Sequence, residues 1–366
     1  MPTRALTRVA HFGAFARATR RAPRVQVKAL LVLAIAHKQG AVLLRAVVAN
    51  GGTQAAMRAR LARCVLDHVG VFDVHVGAGS EGQPYEPRPH EYAIDGLAMT
   101  DASRIADGAA LLRRVLASAG ARSLTFVCIS SLRDLRDLIR ADPECFVERT
   151  RTVAIQAGLE RSPTSPSGWV PDSSVNNGFD RPAAEGVFAF CFERAVPMVV
   201  TSRHAVPMLP MQLAKSFAAR TNCPVLRYLA DAQFLGLQGL WRRLCAGELP
   251  PRCDRCWFFE TFCGLSREQF EQRGLEQLGA AYPIVRELNG FVKPYDVVAL
   301  MGVLPGCVSF FPEPIRHGPH TLRLHPEHAV PLATVERLLR ETCAAAAHRA
   351  HCLLYTSPSP RDGLLS

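Results

Sequence analysis

The feature that most constrains this fold is an apolar strand, a helix and a second apolar strand in direct succession. Residues 42–50 are rich in branched side chains, residues 53–68 place apolar side chains on one helical face, and residues 71–76 form the next apolar run. Thr53 is placed to cap the helix, and Gly70 is placed to end it. A strand–helix–strand unit of this length is typical of a parallel sheet.

The same alternation continues towards the carboxyl terminus. Apolar runs predict further strands, and amphipathic segments between them predict helices; the strands are expected at residues 124–129, 152–156, 197–201 and 321–324. We therefore expect a single α/β domain with an open, mostly parallel central sheet and helices on both faces. In such Rossmann-like sheets, ligands bind at the carboxyl ends of the strands.

The two ends of the chain depart from this pattern. Residues 1–25 are rich in Arg and Ala and contain no acid, which favours either an organelle transit peptide or non-native sequence. Residues 352–366 resemble translated vector sequence, so the predicted domain covers residues 26–350. Localisation stays open: we expect an intracellular protein, cytoplasmic or, if residues 1–25 are a transit peptide, organellar.

The net charge of +11 is concentrated near the amino terminus. The first 66 residues contain twelve Lys/Arg and no acid, whereas the remainder contains 31 Lys/Arg and 32 Asp/Glu. This is not the charge distribution of a nucleic-acid-binding face, and no apolar run reaches the roughly 20 residues that span a bilayer. We therefore expect neither nucleic-acid nor membrane binding. Salt-dependent nucleic-acid binding through the basic amino terminus is the weaker alternative.

The twelve cysteines are scattered, mostly inside apolar stretches. That pattern is typical of buried free thiols in a reducing compartment. Cys253 and Cys256 have the spacing of half a structural zinc site, and incidental loop thiols are the other interpretation.

The polar segment 170–185 is the strongest candidate for a ligand-binding loop. It carries the paired amides Asn176 and Asn177 and then Asp180, which precedes Pro182 and an apolar helical run. Asp180 therefore has the features of a helix N-cap. Amides held beside a helix amino terminus suit a polar ligand, and a capped surface helix is the plainer alternative.

The segment 293–300 is the second candidate. Asp296 follows Pro-Tyr and leads directly into an apolar helix. An N-cap is the default interpretation of such an acid, and a ligand-binding or metal-binding carboxylate is the other.

Together these segments resemble the inosine/uridine-preferring nucleoside hydrolases. The spacing from Asn176 to Asp180, with the alanines behind it, resembles the ribose-binding segment of that family. The other matches follow in the family's order over about residues 29–305: VVAN ending in Asn50, DVHVG at 73–77, SSLRD at 130–134, and Asp296 ahead of its helix.

The resemblance implies an activity and a site. A calcium-bound water would hydrolyse the N-glycosidic bond of a purine or pyrimidine ribonucleoside, giving ribose and free base, in a protein that is commonly a homo-oligomer. Tyr295 stands where the family has the His that protonates the leaving base. The resemblance assigns calcium binding to Asp296 and the carbonyl of Ile129, and substrate contacts to Asn50, Asn176 and Asn177.

The chain departs from the family at the acidic cluster that precedes the first helix. No acid stands in residues 25–28, and Lys28 occupies that place. An ammonium there would repel calcium and would instead pair with Asp296. This motivates a second hypothesis, a non-catalytic family member that binds a nucleoside-like ligand or a protein partner. If calcium binds nevertheless, Asp73 and Glu81 are the candidate substitute acids.

Overall fold

The computed structural model describes residues 7–12, 24–50, 54–82, 94–219, 223–249 and 251–356. Side chains are described for these residues except 7–12, 24–26, 218 and 349–356. The predicted cap Thr53 lies outside the described residues, and its helix begins at Ala55.

The strands are β1 (Thr7–Phe12), β2 (Val42–Ala49), β3 (His75–Ala78), β4 (Ala106–Asp107), β5 (Leu124–Cys128), β6 (Thr150–Gln156), β7 (Leu159–Arg161), β8 (Trp169–Pro171), β9 (Met198–Thr201), β10 (Leu209–Pro210), β11 (Phe291–Val292), β12 (Ile315–His317) and β13 (His320–Arg323). Six of these strands, namely β2, β3, β5, β6, β9 and β13, overlap the predicted apolar runs, and the others were not predicted.

The helices alternate with these strands. They are α1 (Arg24–Lys38), α2 (Ala55–His68), α3 (Gly108–Ala117), α4 (Arg133–Ala141), α5 (Pro143–Arg149), α6 (Val175–Phe179), α7 (Arg181–Glu193), α8 (Met211–Ala218), α9 (Pro224–Cys245), α10 (Arg255–Phe258), α11 (Arg267–Gln272), α12 (Tyr295–Met301) and α13 (Leu332–Thr356).

The central sheet has nine strands in the order β12-β13-β9-β6-β5-β1-β2-β3-β4. Its neighbouring strands run parallel except at the β12–β13 hairpin. Two short antiparallel pairs, β7–β8 and β10–β11, lie outside it. The predicted fold class, an open and mostly parallel sheet, is confirmed.

Both faces of the sheet are covered by helices. In β2, Val47 packs into a core shared with α1, α2 and α12, and the adjacent Val48 packs into a second core shared with α3, α4 and α7. Successive strand residues point to opposite faces, so a strand covered on both sides must be apolar throughout. This explains why β2 is apolar apart from Arg45 and β5 is apolar apart from Thr125.

A third apolar cluster lies among α8 to α11 and contains Trp241, Phe258 and Phe259, all of them fully buried. Cys256 packs into it, and both Cys256 and Cys253 are free thiols. In the described part of the chain, no three His, Cys, Asp or Glu side chains are grouped as a metal site. Within the same part, no helix is long and apolar enough to cross a membrane.

The amino-terminal segment contributes to the sheet. Strand β1 lies between β2 and β5 and pairs with both in parallel. The prediction that residues 1–25 lie outside the domain does not account for this interior strand of the sheet. At the other end, α13 continues to Thr356. The first residues of the predicted non-native tail are therefore helical, and residues 357–366 lie outside the described part.

Candidate functional site

The candidate site lies along the edge of the sheet where the parallel strands end, called here the carboxyl edge. The chain runs from β1 to β2, β3 and β4 on one side, and β5, β6, β9 and β13 lie on the other. Such a reversal of strand order opens a crevice at the carboxyl ends of the strands. Crossover helices run back against the strands, so α1, α4 and α12 begin near this edge.

Asn50 directly follows β2 and is buried. Its amide nitrogen donates to the Ser131 carbonyl oxygen at 3.2 Å and to the Asp134 carboxylate. That carboxylate also accepts hydrogen bonds from the Ser80 amide at 2.8 Å and the Ser80 hydroxyl at 2.9 Å. Asp134 therefore joins the ends of β2 and β3 to the start of α4. Asn50 is fixed in place by this network, and its side-chain oxygen has no hydrogen-bond partner among the described residues.

Ile129, whose carbonyl oxygen the resemblance assigns to calcium, directly follows β5, and its side chain is fully buried. It therefore lies beside the carboxyl end of β1. Residues 13–23, which connect β1 to α1 in the sequence, are outside the described part and include no acid.

The loop 170–185 folds over the end of β6. As predicted, Asp180 is the N-cap of α7: its carboxylate accepts a hydrogen bond from the Ala183 amide at 3.0 Å. Asn176 lies in the short helix α6 and donates to the Gln156 carbonyl at 2.6 Å and to the Gln156 side-chain oxygen at 2.7 Å. Asn176 is therefore held against the final residue of β6, at the carboxyl edge.

Asn177 points into its own loop. It is fully buried, and its amide nitrogen donates to the Gly158 carbonyl at 2.9 Å and to the Asp172 carboxylate at 3.0 Å. The same carboxylate accepts a hydrogen bond from the Ser174 amide at 2.8 Å. These hydrogen bonds stabilise the conformation of the loop. The structure therefore separates the two amides: Asn176 meets the end of a strand, and Asn177 stabilises the loop.

Asp296 is not an N-cap, because α12 begins one residue before it, at Tyr295, and Pro294 occupies the cap position. The Asp296 side chain is only 5% exposed. Burial raises the pKa of Asp296 to about 8, and the nearby Lys28 ammonium opposes that rise. Tyr295 is half-buried and packs against the core.

Lys28 is buried near the start of α1, and its ammonium donates to the side-chain oxygen of Gln233 at 3.3 Å. The charge of Lys28 acts on the buried Asp296 carboxyl, and direct pairing of the two groups stays a prediction. A buried acid beside a buried ammonium is a polar pair in an apolar setting, where electrostatic interactions are strong.

The proposed substitute acids do not join this pair. Asp73 precedes β3, at the opposite edge of the sheet; its side chain is 69% exposed and lies 3.1 Å from the ring of His37. Glu81 accepts a hydrogen bond from the Ala55 amide at 2.8 Å, so it caps α2. Calcium requires six to eight oxygen ligands. One carboxylate beside an ammonium does not match that requirement, and calcium binding stays a prediction of the resemblance.

The structure also places residues at this edge that the sequence analysis did not single out. Ser80 follows the end of β3, and Arg203 and His204 follow the end of β9. Their position in the sequence could have indicated them, because each is a polar residue just past a strand that ends at the carboxyl edge. Gln233 lies inside the long helix α9. Nothing in its local sequence indicates that it meets Lys28.

No protein-family model and no curated relative matches this sequence. The likeness is to solved structures. The type III effector protein XopQ, in a complex with adenosine diphosphate ribose, is 22% identical with a TM-score of 0.72, and the match covers 94% of this chain and 95% of that one.

Two nucleoside hydrolases also match. The purine-preferring ribonucleoside hydrolase from Gardnerella vaginalis is 12% identical with a TM-score of 0.57, over 94% of this chain and 99% of that one. The inosine-uridine preferring nucleoside hydrolase from Bacillus anthracis is 12% identical with a TM-score of 0.52, over 92% and 98%. The chain therefore has a nucleoside hydrolase-like α/β fold, as the resemblance predicted, and the preference for inosine or uridine stays a prediction.

Proposed function

We propose that this chain binds a nucleoside-type ligand at the carboxyl edge and does so without calcium. The observation that carries the proposal is that Lys28 and Asp296 are both buried and that the Lys28 charge acts on the Asp296 carboxyl. It puts a fixed positive charge where the resemblance expects carboxylates around a dication. The likeness in fold to XopQ, a protein solved with adenosine diphosphate ribose, supports a ligand that contains a ribosyl group.

The side chains at the edge have the chemistry to hold a sugar. With a pKa of about 8, Asp296 is mostly protonated at neutral pH, so it both donates and accepts hydrogen bonds. The vicinal hydroxyl groups of a ribose also both donate and accept hydrogen bonds. Asn176, fixed on Gln156 at the end of β6, supplies a second polar group at the same edge. A preorganised amide loses little entropy when a ligand binds.

Calorimetric titration of adenosine, inosine, uridine and adenosine diphosphate ribose tests this proposal. We expect saturable binding of at least one of them, with the same affinity in calcium and in chelator. Asn176→Ala should weaken binding about tenfold, which is the loss of roughly 1.4 kcal/mol for one ligand hydrogen bond. Gln277→Ala, which removes an exposed amide, is the matched control. Absence of binding by all four compounds would refute the proposal.

The second candidate function is hydrolysis of the N-glycosidic bond of ribonucleosides to ribose and free base. The burial of Asp296 at the start of α12 favours it, because the resemblance places a catalytic-site acid there. Ribose release from a nucleoside panel, measured with calcium and after chelation, separates the two functions. Turnover that disappears on chelation and in Asp296→Ala would favour the hydrolase. Binding without turnover would favour the non-catalytic protein.

A further inference from the structure

The strands β6, β9 and β13 end side by side at the carboxyl edge. Thr201, the last residue of β9, is in register with Gln156 of β6 on one side and with Arg323 of β13 on the other. Arg203 and His204 follow Thr201 after one residue, Ser202. Neighbouring strands lie about 4.8 Å apart. Thr201 therefore lies one strand spacing from Gln156, the residue that Asn176 contacts, and Arg203 and His204 follow at the same edge of the sheet.

Three basic side chains converge on this segment. The Lys293 ammonium donates to the carbonyl oxygen of Arg203 at 3.1 Å, which ties the residues before α12 to the loop after β9. The Arg203 guanidinium donates to the ring nitrogen Nε2 of His204 at 3.2 Å. Since that nitrogen accepts the hydrogen bond, His204 is neutral in this arrangement.

The positive charge of this group is not balanced locally. Neither Arg203 nor Lys293 forms an ion pair with a carboxylate among the described residues. Burial and the charges of Arg203 and Lys293 lower the pKa of His204, and His325 adds to the effect. Asp172 is the carboxylate that opposes it, and its oxygen Oδ1 is already engaged within the loop.

We propose that Arg203, Lys293 and His204 form a subsite for a phosphate or diphosphate group. The inference rests on the proposed function, because the phosphate would belong to the ligand whose ribosyl part lies beside Asn176. A guanidinium binds phosphate oxygens through paired hydrogen bonds, and an ammonium adds a point charge. When the anion binds, His204 takes up a proton and becomes a further donor.

Inorganic pyrophosphate is the direct probe of this subsite. The ring resonances of His204, identified by their loss in His204→Gln, are titrated with pH by NMR in the presence and absence of pyrophosphate. We expect pyrophosphate to raise the pKa of His204 and its affinity to fall with added salt. Arg203→Gln and Lys293→Gln should each weaken binding about tenfold, whereas Lys293→Arg should retain it. Arg113→Gln, which removes an exposed positive charge on α3, is the matched control.

Adenosine and adenosine 5′-diphosphate separate this inference from the proposed function. If the inference is right, the diphosphate binds more tightly than the nucleoside, and Arg203→Gln removes that advantage while leaving adenosine binding unchanged. Equal affinities, together with an unshifted His204, would overturn the subsite and leave the proposed function standing. Binding of pyrophosphate alone, dependent on Arg203 and without binding of either adenosine compound, would support the subsite and refute the proposed function. Circular dichroism checks that each variant is folded.

Discussion

Replacing Asp134 with alanine tests whether one buried carboxylate holds three loops of the carboxyl edge together. Asp134 is 7% exposed and accepts from the Ser80 amide, the Ser80 hydroxyl and the Asn50 amide. Each buried donor left without a partner costs about 1–3 kcal/mol. Ser80 is half-buried, so water can replace part of the hydrogen bonding that it loses with Asp134. Asn50 keeps its hydrogen bond to the Ser131 carbonyl oxygen. We therefore expect Asp134→Ala to lower the free energy of unfolding by about 3 kcal/mol.

Urea unfolding followed by circular dichroism measures this loss. Asp137→Ala is the matched control, because Asp137 lies on the same helix with its side chain 51% exposed and paired with Arg136 at 2.7 Å. That exposed pair should contribute less than about 1 kcal/mol. Asp134→Asn keeps one acceptor oxygen and should fall between the two. If Asp134→Ala and Asp137→Ala were equally stable, the carboxylate would not be the link between these loops.

Three further predictions concern protons and the amino terminus. Burial raises the pKa of Asp296 to about 8, so the folded chain holds a proton that the unfolded chain has released, and stability falls as pH rises towards 8. Asp296→Asn, which stays neutral, should remove up to about 1.4 kcal/mol per pH unit of that slope in urea unfolding. Burial lowers the pKa of His320 from 6.5 to about 4, so stability should be lost as pH falls through this window, and His320→Phe should flatten the loss. Deleting residues 1–12 removes the interior strand β1 and should abolish soluble folded protein, whereas a dispensable leader would leave folding intact.

The sequence predicted the strands and helix starts that are determined by burial or by interactions between nearby residues. The predominantly apolar runs at β2 and β5 predicted strands, and helices cover both faces of each strand. Asp180 beside Pro182 predicted a helix start, and α7 begins there. In each case, the deciding interactions lie within a few residues of one another or follow from burial alone.

The features that the sequence did not predict depend on contacts between distant parts of the chain. Strand β1 is fixed by pairing with β2 and β5, and its Arg-rich neighbourhood gave no sign of that pairing. Asn176 and Asn177 are adjacent, so their side chains lie about 100° apart around α6. Which of them faces β6 depends on how that helix docks. Asp296 has the local features of an N-cap, yet its burial and its proximity to Lys28 are tertiary facts.

The charges at the carboxyl edge favour one class of ligand over another. A hydrolase of this fold would need several carboxylates to hold a dication, whereas this edge shows a buried acid with a raised pKa beside the Lys28 ammonium. On the same edge, Arg203 and Lys293 add positive charge that no described carboxylate pairs. Fixed cations repel calcium and attract phosphate, and their preorganised charge acts on an anionic ligand much as a bound metal would. The charges that disfavour calcium therefore have the same sign as those that favour a phosphorylated nucleoside.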